Sequence, residues 1–201
     1  MNTTDKEQIQ IIKDWWKKNS STVLTALLVF AITNYGWRYW QQYKIKTVAK
    51  TSLAYTQMLT AMEQKKTAEA ELMGKRLIAE QPKSVYAGMA GLMLAKMYVQ
   101  KPDLKAAQMQ LEFVINKTSD SAFKQIARVR LAKILLELKQ PQKALDVLAI
   151  VNDVAYNAEI KEISADALLA LGKNVEAKKA YQEAAASGAD SPLLKLKMQQ
   201  F

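Results

Sequence analysis

Three alanine pairs share one spacing: Ala95 with Ala107, Ala132 with Ala144, and Ala165 with Ala177, each twelve residues apart. The first members recur at intervals of 37 and 33 residues. Apolar residues keep the same phase. Tyr98, Leu135 and Leu168 stand three after the first alanines, Leu111, Leu148 and Tyr181 four after the second, and Val114, Val151 and Ala184 three further on. One more interval of 37 backwards reaches Met58, whose partner is Ala70. Two antiparallel helices nest closely only where the touching side chains are small, and larger residues then fill the layer between hairpins. A single hairpin cannot bury its apolar face, so three or more must stack.

Alanine is common in this chain, and an unrelated Ala-rich bundle would match any one pair by chance. Turn residues in phase with three pairs favour the repeat. Lys101-Pro102-Asp103, Gln140-Pro141-Gln142 and Gly172-Lys173-Asn174 fall where each hairpin must reverse, and Pro82 stands twelve residues after Ala70. Proline cannot continue a helix, and Gly accepts φ > 0. A small residue with an alanine twelve on is the signature of the tetratricopeptide repeat, a helix-turn-helix of about 34 residues. Four such hairpins fit between about Thr47 and Ser187. With only 6 glycines and 4 prolines, and abundant Ala, Leu, Lys, Glu and Gln, the expected class is all-α.

Ahead of the repeats, Asn19–Trp37 holds 19 consecutive uncharged residues around an apolar centre, Val23–Ile32. A helix rises about 1.5 Å per residue, so about 20 residues cross the hydrocarbon layer. Trp15, Trp16, Tyr35, Trp37, Tyr39, Trp40 and Tyr43 flank the run on both sides, where amphipathic rings favour the headgroup level. Lys17, Lys18, Arg38 and Lys44 can reach outward. The expectation is one membrane helix at 20–40, a leader at 1–19 and a repeat domain at 41–201. A cleaved signal peptide is disfavoured because bulky aromatics, not small residues, follow the run. A buried core helix would need no aromatic girdles. Thr25, Thr33 and Asn34 are candidate contacts for a partner helix, although threonines also bond their own backbone. Four basic residues flank each end, so the charge rule leaves orientation tied.

The chain has no His and no Cys. Ser-His-Asp and Cys-His catalysis, disulfides and the usual zinc sites are thereby excluded. There is no P-loop, no G-x-G-x-x-G and no G-x-S-x-G. Glu159, Glu162 and Asp166 share a helix face at i, i+3 and i+7. A carboxylate or cation site would need ligands from several elements, so a solvated or peptide-binding face is expected. No catalytic, metal or cofactor residue is assigned. Net charge is +10, with seven basic and three acidic residues in 1–46 and 22 and 16 in the remainder. The excess is spread without a basic stripe, so nucleic acid is not an expected partner. What remains is binding. The first helix of each hairpin lines the inner face of such a stack, which nominates Tyr55, Leu59, Met62, Met89, Leu92, Lys96, Val129, Lys133 and Leu136 as a protein-binding surface. Any of them can equally belong to the core between repeats.

Gly36-Trp37-Arg38-Tyr39-Trp40 and Ser52-Leu53-Ala54-Tyr55, with Arg130-Leu131-Ala132, Leu138-Lys139-Gln140 and Lys195-Leu196-Lys197-Met198, carry a likeness over nearly the whole chain. On these stretches the chain resembles the YfgM family, the ancillary subunit of the SecYEG translocon in Gram-negative bacteria. The resemblance implies a single-pass inner-membrane protein with a cytoplasmic N-terminus and a periplasmic tetratricopeptide-like domain. It also implies four partners: the SecYEG translocon, the periplasmic chaperone-like isomerase PpiD, unfolded exported proteins and the lipid bilayer. The implied role is to help hand exported proteins to periplasmic chaperones, with no cofactor. An envelope scaffold or regulatory protein using the same repeats is the alternative. An enzyme built on Glu162 and Asp166 is a third and weaker reading.

Overall fold

The computed structural model describes residues 3–201, with side chains from Gln8 onward; Met1 and Asn2 of the expected leader lie outside the described residues. All described elements are helical. They are α1 (Thr3–Glu63), α2 (Thr67–Glu80), α3 (Val85–Gln100), α4 (Leu104–Lys117), α5 (Ser121–Glu137), α6 (Pro141–Leu148), a 3₁₀ turn (Val154–Tyr156), α7 (Asn157–Ala170), α8 (Asn174–Ala186) and α9 (Pro192–Met198). The chain divides into two compact units, Met1–Ala49 and Lys50–Phe201.

In the second unit, the part of α1 from Lys50 onward lies against α2, with Met58 beside Gly74 and Lys50 paired with Glu80, and α3 with α4, α5 with α6 and α7 with α8 follow as hairpins. The small-residue positions explain the pairing. Met58, Ala70, Ala95, Ala107, Ala132, Ala144, Ala165 and Ala177 are all buried. So are Tyr98, Leu135, Leu111, Leu148, Tyr181, Val114 and Ala184, the larger residues in phase with them. Leu168 is half-buried, and Val151 follows the end of α6 instead of lying on it. Hydroxyl and carboxylate caps open several helices: Ser84 accepts from the Ala87 N–H, Asp103 from Ala106 and Asp120 from Phe123, each at 3.0 Å.

The four turns are built alike. The residue three after each of Met58, Ala95, Ala132 and Ala165 accepts an N–H from five positions on: Lys66 to Ala61, Asp103 to Tyr98, Gln140 to Leu135 and Lys173 to Leu168, at 2.8–2.9 Å. That six-to-one bond satisfies carbonyls that a helix end leaves unpaired. The residue before the donor has positive φ in every turn: Lys65 (59°), Lys139 (59°) and Gly172 (76°) are left-handed, and Pro102 takes 27° in the remaining one. Pro141 is not in the turn, as its spacing suggested, but opens α6 at the first helical turn, where a missing N–H costs nothing. Pro82 follows the end of α2 as expected.

At Gly91 α3 and α4 approach closely. A Cβ placed on Gly91 would lie 2.6 Å from Val114 Cγ2 and 3.3 Å from Phe113 Cδ1. At the far end α9 closes the stack. Leu194 is buried with Tyr181 and Ala184, and the Phe201 ring lies 5.9 Å from that of Tyr181.

In the first unit, Leu24, Leu27, Leu28, Val29, Phe30 and Ile32 of α1 are exposed. No described helix is long and apolar enough to cross a membrane. The stretch at 20–40, where a span is expected, does not reach that hydropathy, and the reason lies in the composition. Ser20, Ser21, Thr22, Thr33, Asn34 and Tyr35 border a centre of only ten residues, Val23–Ile32, and dilute its hydropathy.

Three substitutions test the turns and the close contact. Lys139→Gly should stabilise the fold by about 0.5–1 kcal/mol by removing a Cβ from a left-handed position, and Gly172→Ala should cost about 1 kcal/mol. Gly91→Ala should cost about 1–3 kcal/mol through overpacking. Thermal melting followed by circular dichroism reads all three.

Candidate protein-binding groove

The residue just after each small position follows the first helices in register: Leu59 on α1, Lys96 on α3, Lys133 on α5 and Asp166 on α7. Between α3 and α5 this face holds a cleft of about 510 Å³. Ala95, Val99, Leu111 and Ile134 give it apolar walls, and Lys96, Gln100, Arg130 and Lys133 stand around them. A second cleft of about 460 Å³ shares Val99, Lys133 and Ile134 and continues towards α7 and α9. Its lining is acidic: Glu137, Glu159, Glu162 and Asp166. Lys133 sits at the junction, its Nζ 2.6 Å from Glu159 Oε1.

The nine residues nominated from sequence divide into three groups. Tyr55, Leu92 and Val129 are buried and belong to the core between hairpins. They stand three before the small residue, on the side of the first helix that meets the neighbouring repeat. Leu59, Met62, Met89 and Leu136 are half-buried and pack on that core. Only Lys96 and Lys133 are exposed, and both line the clefts. Arg130, Val99, Leu111 and Ile134 were not nominated. Arg130 stands three residues before Lys133, on the same helix face, and that spacing was the available signal.

Thr25 and Thr33 on α1 donate to the carbonyls four residues back, Ser21 and Val29, both at 2.8 Å. Their hydroxyls therefore satisfy their own helix. Asn34 is exposed. The aromatic run beyond it is ordered locally, with Trp37 and Trp40 rings 5.4 Å apart and Lys44 Nζ 3.5 Å above Trp40.

Two carboxylates act as cross-ties. Glu71 on α2 accepts from Lys75 (2.7 Å), from Lys101 beyond α3 (2.7 Å) and from the Tyr98 hydroxyl (2.8 Å). These donors hold its carboxyl well below the usual range, at about 2, with Lys101 the largest cause. Asp166 on α7 accepts from Tyr181 on α8 (2.6 Å) and from Lys197 on α9 (2.6 and 2.7 Å). Lys197 also lies 3.6 Å from Glu162. Burial and, second, the Asp166 carboxylate push the Tyr181 phenol up. Glu162 and Asp166, the one acidic set with a conceivable chemical role, are thus occupied by a lysine of the same chain. Among the described residues no group of three or more acidic side chains could hold a metal ion.

Stacked antiparallel hairpins with a two-sided groove along their first helices define a helical repeat scaffold. The chain belongs to the tetratricopeptide repeat-like domain family, whose model matches residues 13–201. Its relatives include the ancillary SecYEG translocon subunit of Haemophilus influenzae, 28% identical over 96% of each chain. The protein of that name from Escherichia coli is 28% identical over 89% of this chain and 85% of its own. These relatives bear out the YfgM resemblance seen in the sequence. Among solved structures, MamA from Desulfovibrio magneticus RS-1 superposes with a TM-score of 0.62 at 17% identity, covering 74% of this chain and 81% of its own. PilF of Pseudomonas aeruginosa gives 0.59 at 17% identity, covering 75% of this chain and 66% of its own. At that identity both speak for the fold alone.

The Glu71 cross-tie has a pH signature. Its folded carboxyl is at about 2 against an ordinary 4.5, so its contribution is complete above 4.5 and is lost as pH falls towards 2. Glu71→Gln should lower stability near neutral pH and flatten the loss across that acid window. Denaturant melts from neutral pH to pH 2 measure it, and parallel curves for the two proteins would exclude the role.

Proposed function

We propose that the protein is an inner-membrane adaptor at the SecYEG translocon, helping to pass exported proteins to periplasmic chaperones through its repeat domain. One observation carries the proposal. The match to an ancillary SecYEG translocon subunit extends over nearly the full length of both chains, leader stretch and repeats together. The aromatic-bordered stretch of α1 supports the membrane part of the reading. Its 19 uncharged residues span about 28 Å as helix, close to the hydrocarbon thickness of about 30 Å. Leu24, Leu27, Leu28, Val29 and Phe30 within it are exposed. In this reading the N-terminus is cytoplasmic, residues 20–40 enter the bilayer, and residues 41–201 face the periplasm. The groove supports the partner-binding part. Tethering raises effective concentration, so modest affinity for PpiD or an unfolded client suffices. No cofactor and no reaction are needed for this role.

Purification from membranes in mild detergent should retrieve SecYEG subunits and PpiD. Their absence, alongside a control bait that does retrieve the translocon, would overturn the proposal. Orientation has its own test, made simple by the absence of native cysteine. Ser187→Cys should react with a membrane-impermeant maleimide in cells whose outer membrane is permeabilised, and Lys17→Cys should not. The reverse pattern would invert the topology.

A further inference from the structure

We propose that the cleft between α3 and α5 selects acidic peptide segments, gripping an apolar side chain between two carboxylates. The proposal rests on the reading above that the repeats hold polypeptide, and it names the chemistry of what they hold. The cleft is large enough for a peptide side chain and its neighbours, at about 510 Å³. Val99, Leu111 and Ile134 form a floor that rewards an apolar group leaving water. Every charge in the lining is positive: Lys96, Arg130 and Lys133. Lys133 is already paired with Glu159. Lys96 and Arg130 make no ion pair with a carboxylate among the described residues, and both are exposed. They stand on opposite walls, one on α3 and one on α5.

Packed helices lie about 8–10 Å apart, and an extended chain advances about 3.3 Å per residue. A chain lying along the cleft therefore fits between the two walls, with its acids three residues apart. Residues at that spacing in an extended chain point to opposite sides, as opposite walls require. The cleft beside it adds selection by exclusion: Glu137, Glu159, Glu162 and Asp166 outnumber Lys133 and Lys197 in its lining, so its net charge repels a carboxylate. The acids of a ligand are thus confined to the α3–α5 side.

The test uses the full chain in detergent micelles and two labelled ten-residue peptides. One carries a Phe between an Asp and a Glu three residues apart; in the other Asn and Gln replace the acids. Fluorescence anisotropy should show the acidic peptide binding at least about tenfold more tightly, the equivalent of one charge-assisted contact. The preference should shrink as salt rises. The double variant Lys96→Glu/Arg130→Glu should abolish it. Lys105→Glu/Lys143→Glu, with the same change in net charge on exposed residues of α4 and α6, should retain it, and circular dichroism of both checks folding. Equal binding of the two peptides, or equal loss in the two variants, overturns the acidic selection and leaves the polypeptide-binding reading standing. Absence of binding by either peptide overturns both. Self-association of the chain that is lost only in Lys96→Glu/Arg130→Glu would assign the cleft to a second copy and overturn the proposal.

Discussion

The distance between helices is the quantity on which this molecule depends. It is set at a few positions where the first and second helix of a hairpin touch. Where both residues are alanine, backbones approach and the flanking Leu, Val and Tyr side chains reach across to the next hairpin. Larger residues there would hold the helices apart and expose the layer between repeats to water. Gly91 shows how little slack exists, since even one added carbon would meet Val114 at 2.6 Å. The turns obey the same geometry. A second helix can fold back in register only if the first ends abruptly, and the six-to-one bond and left-handed residue supply that stop.

The same rule explains what was readable in advance. The twelve-residue pairs located all four hairpins, because burial of a small residue leaves a repeating mark in the chain. The turns were half readable. Gly172 announced itself, whereas Lys65 and Lys139 take the same left-handed conformation without any compositional cue. Pro141 was placed one step out, in the turn instead of at the helix start. The groove was least readable. Tyr55, Leu92 and Val129 look like a ligand surface when counted along one helix. They are core because the neighbouring hairpin covers them, and that depends on how repeats stack, not on the helix period. Lys96 and Lys133 survived the count because a lysine needs water at its tip.

Charge is distributed with a purpose distinct from packing. Glu71 gathers the Tyr98 hydroxyl with Lys75 and Lys101, and Asp166 the Tyr181 hydroxyl with Lys197, so each carboxylate ties together elements far apart in sequence. Unlike a lone surface ion pair, such a network immobilises several donors about one acceptor, where cooperativity is favourable. The Asp166 network fastens α9 over the last hairpin, which would otherwise present a bare apolar face. The acidic set that invites a chemical interpretation from sequence is therefore architectural.

The threonines of α1 bear on a wider question. Thr25, Thr33, Thr47, Thr56 and Thr60 all turn their hydroxyls back to the carbonyl four residues earlier. A residue scale charges each of them the full cost of a free hydroxyl, as if it stood alone in solvent. Folded into this helix, the proton is already bonded to a carbonyl of the same helix. The stretch from Ser20 to Tyr39 is thus oilier as a helix than as a string of letters.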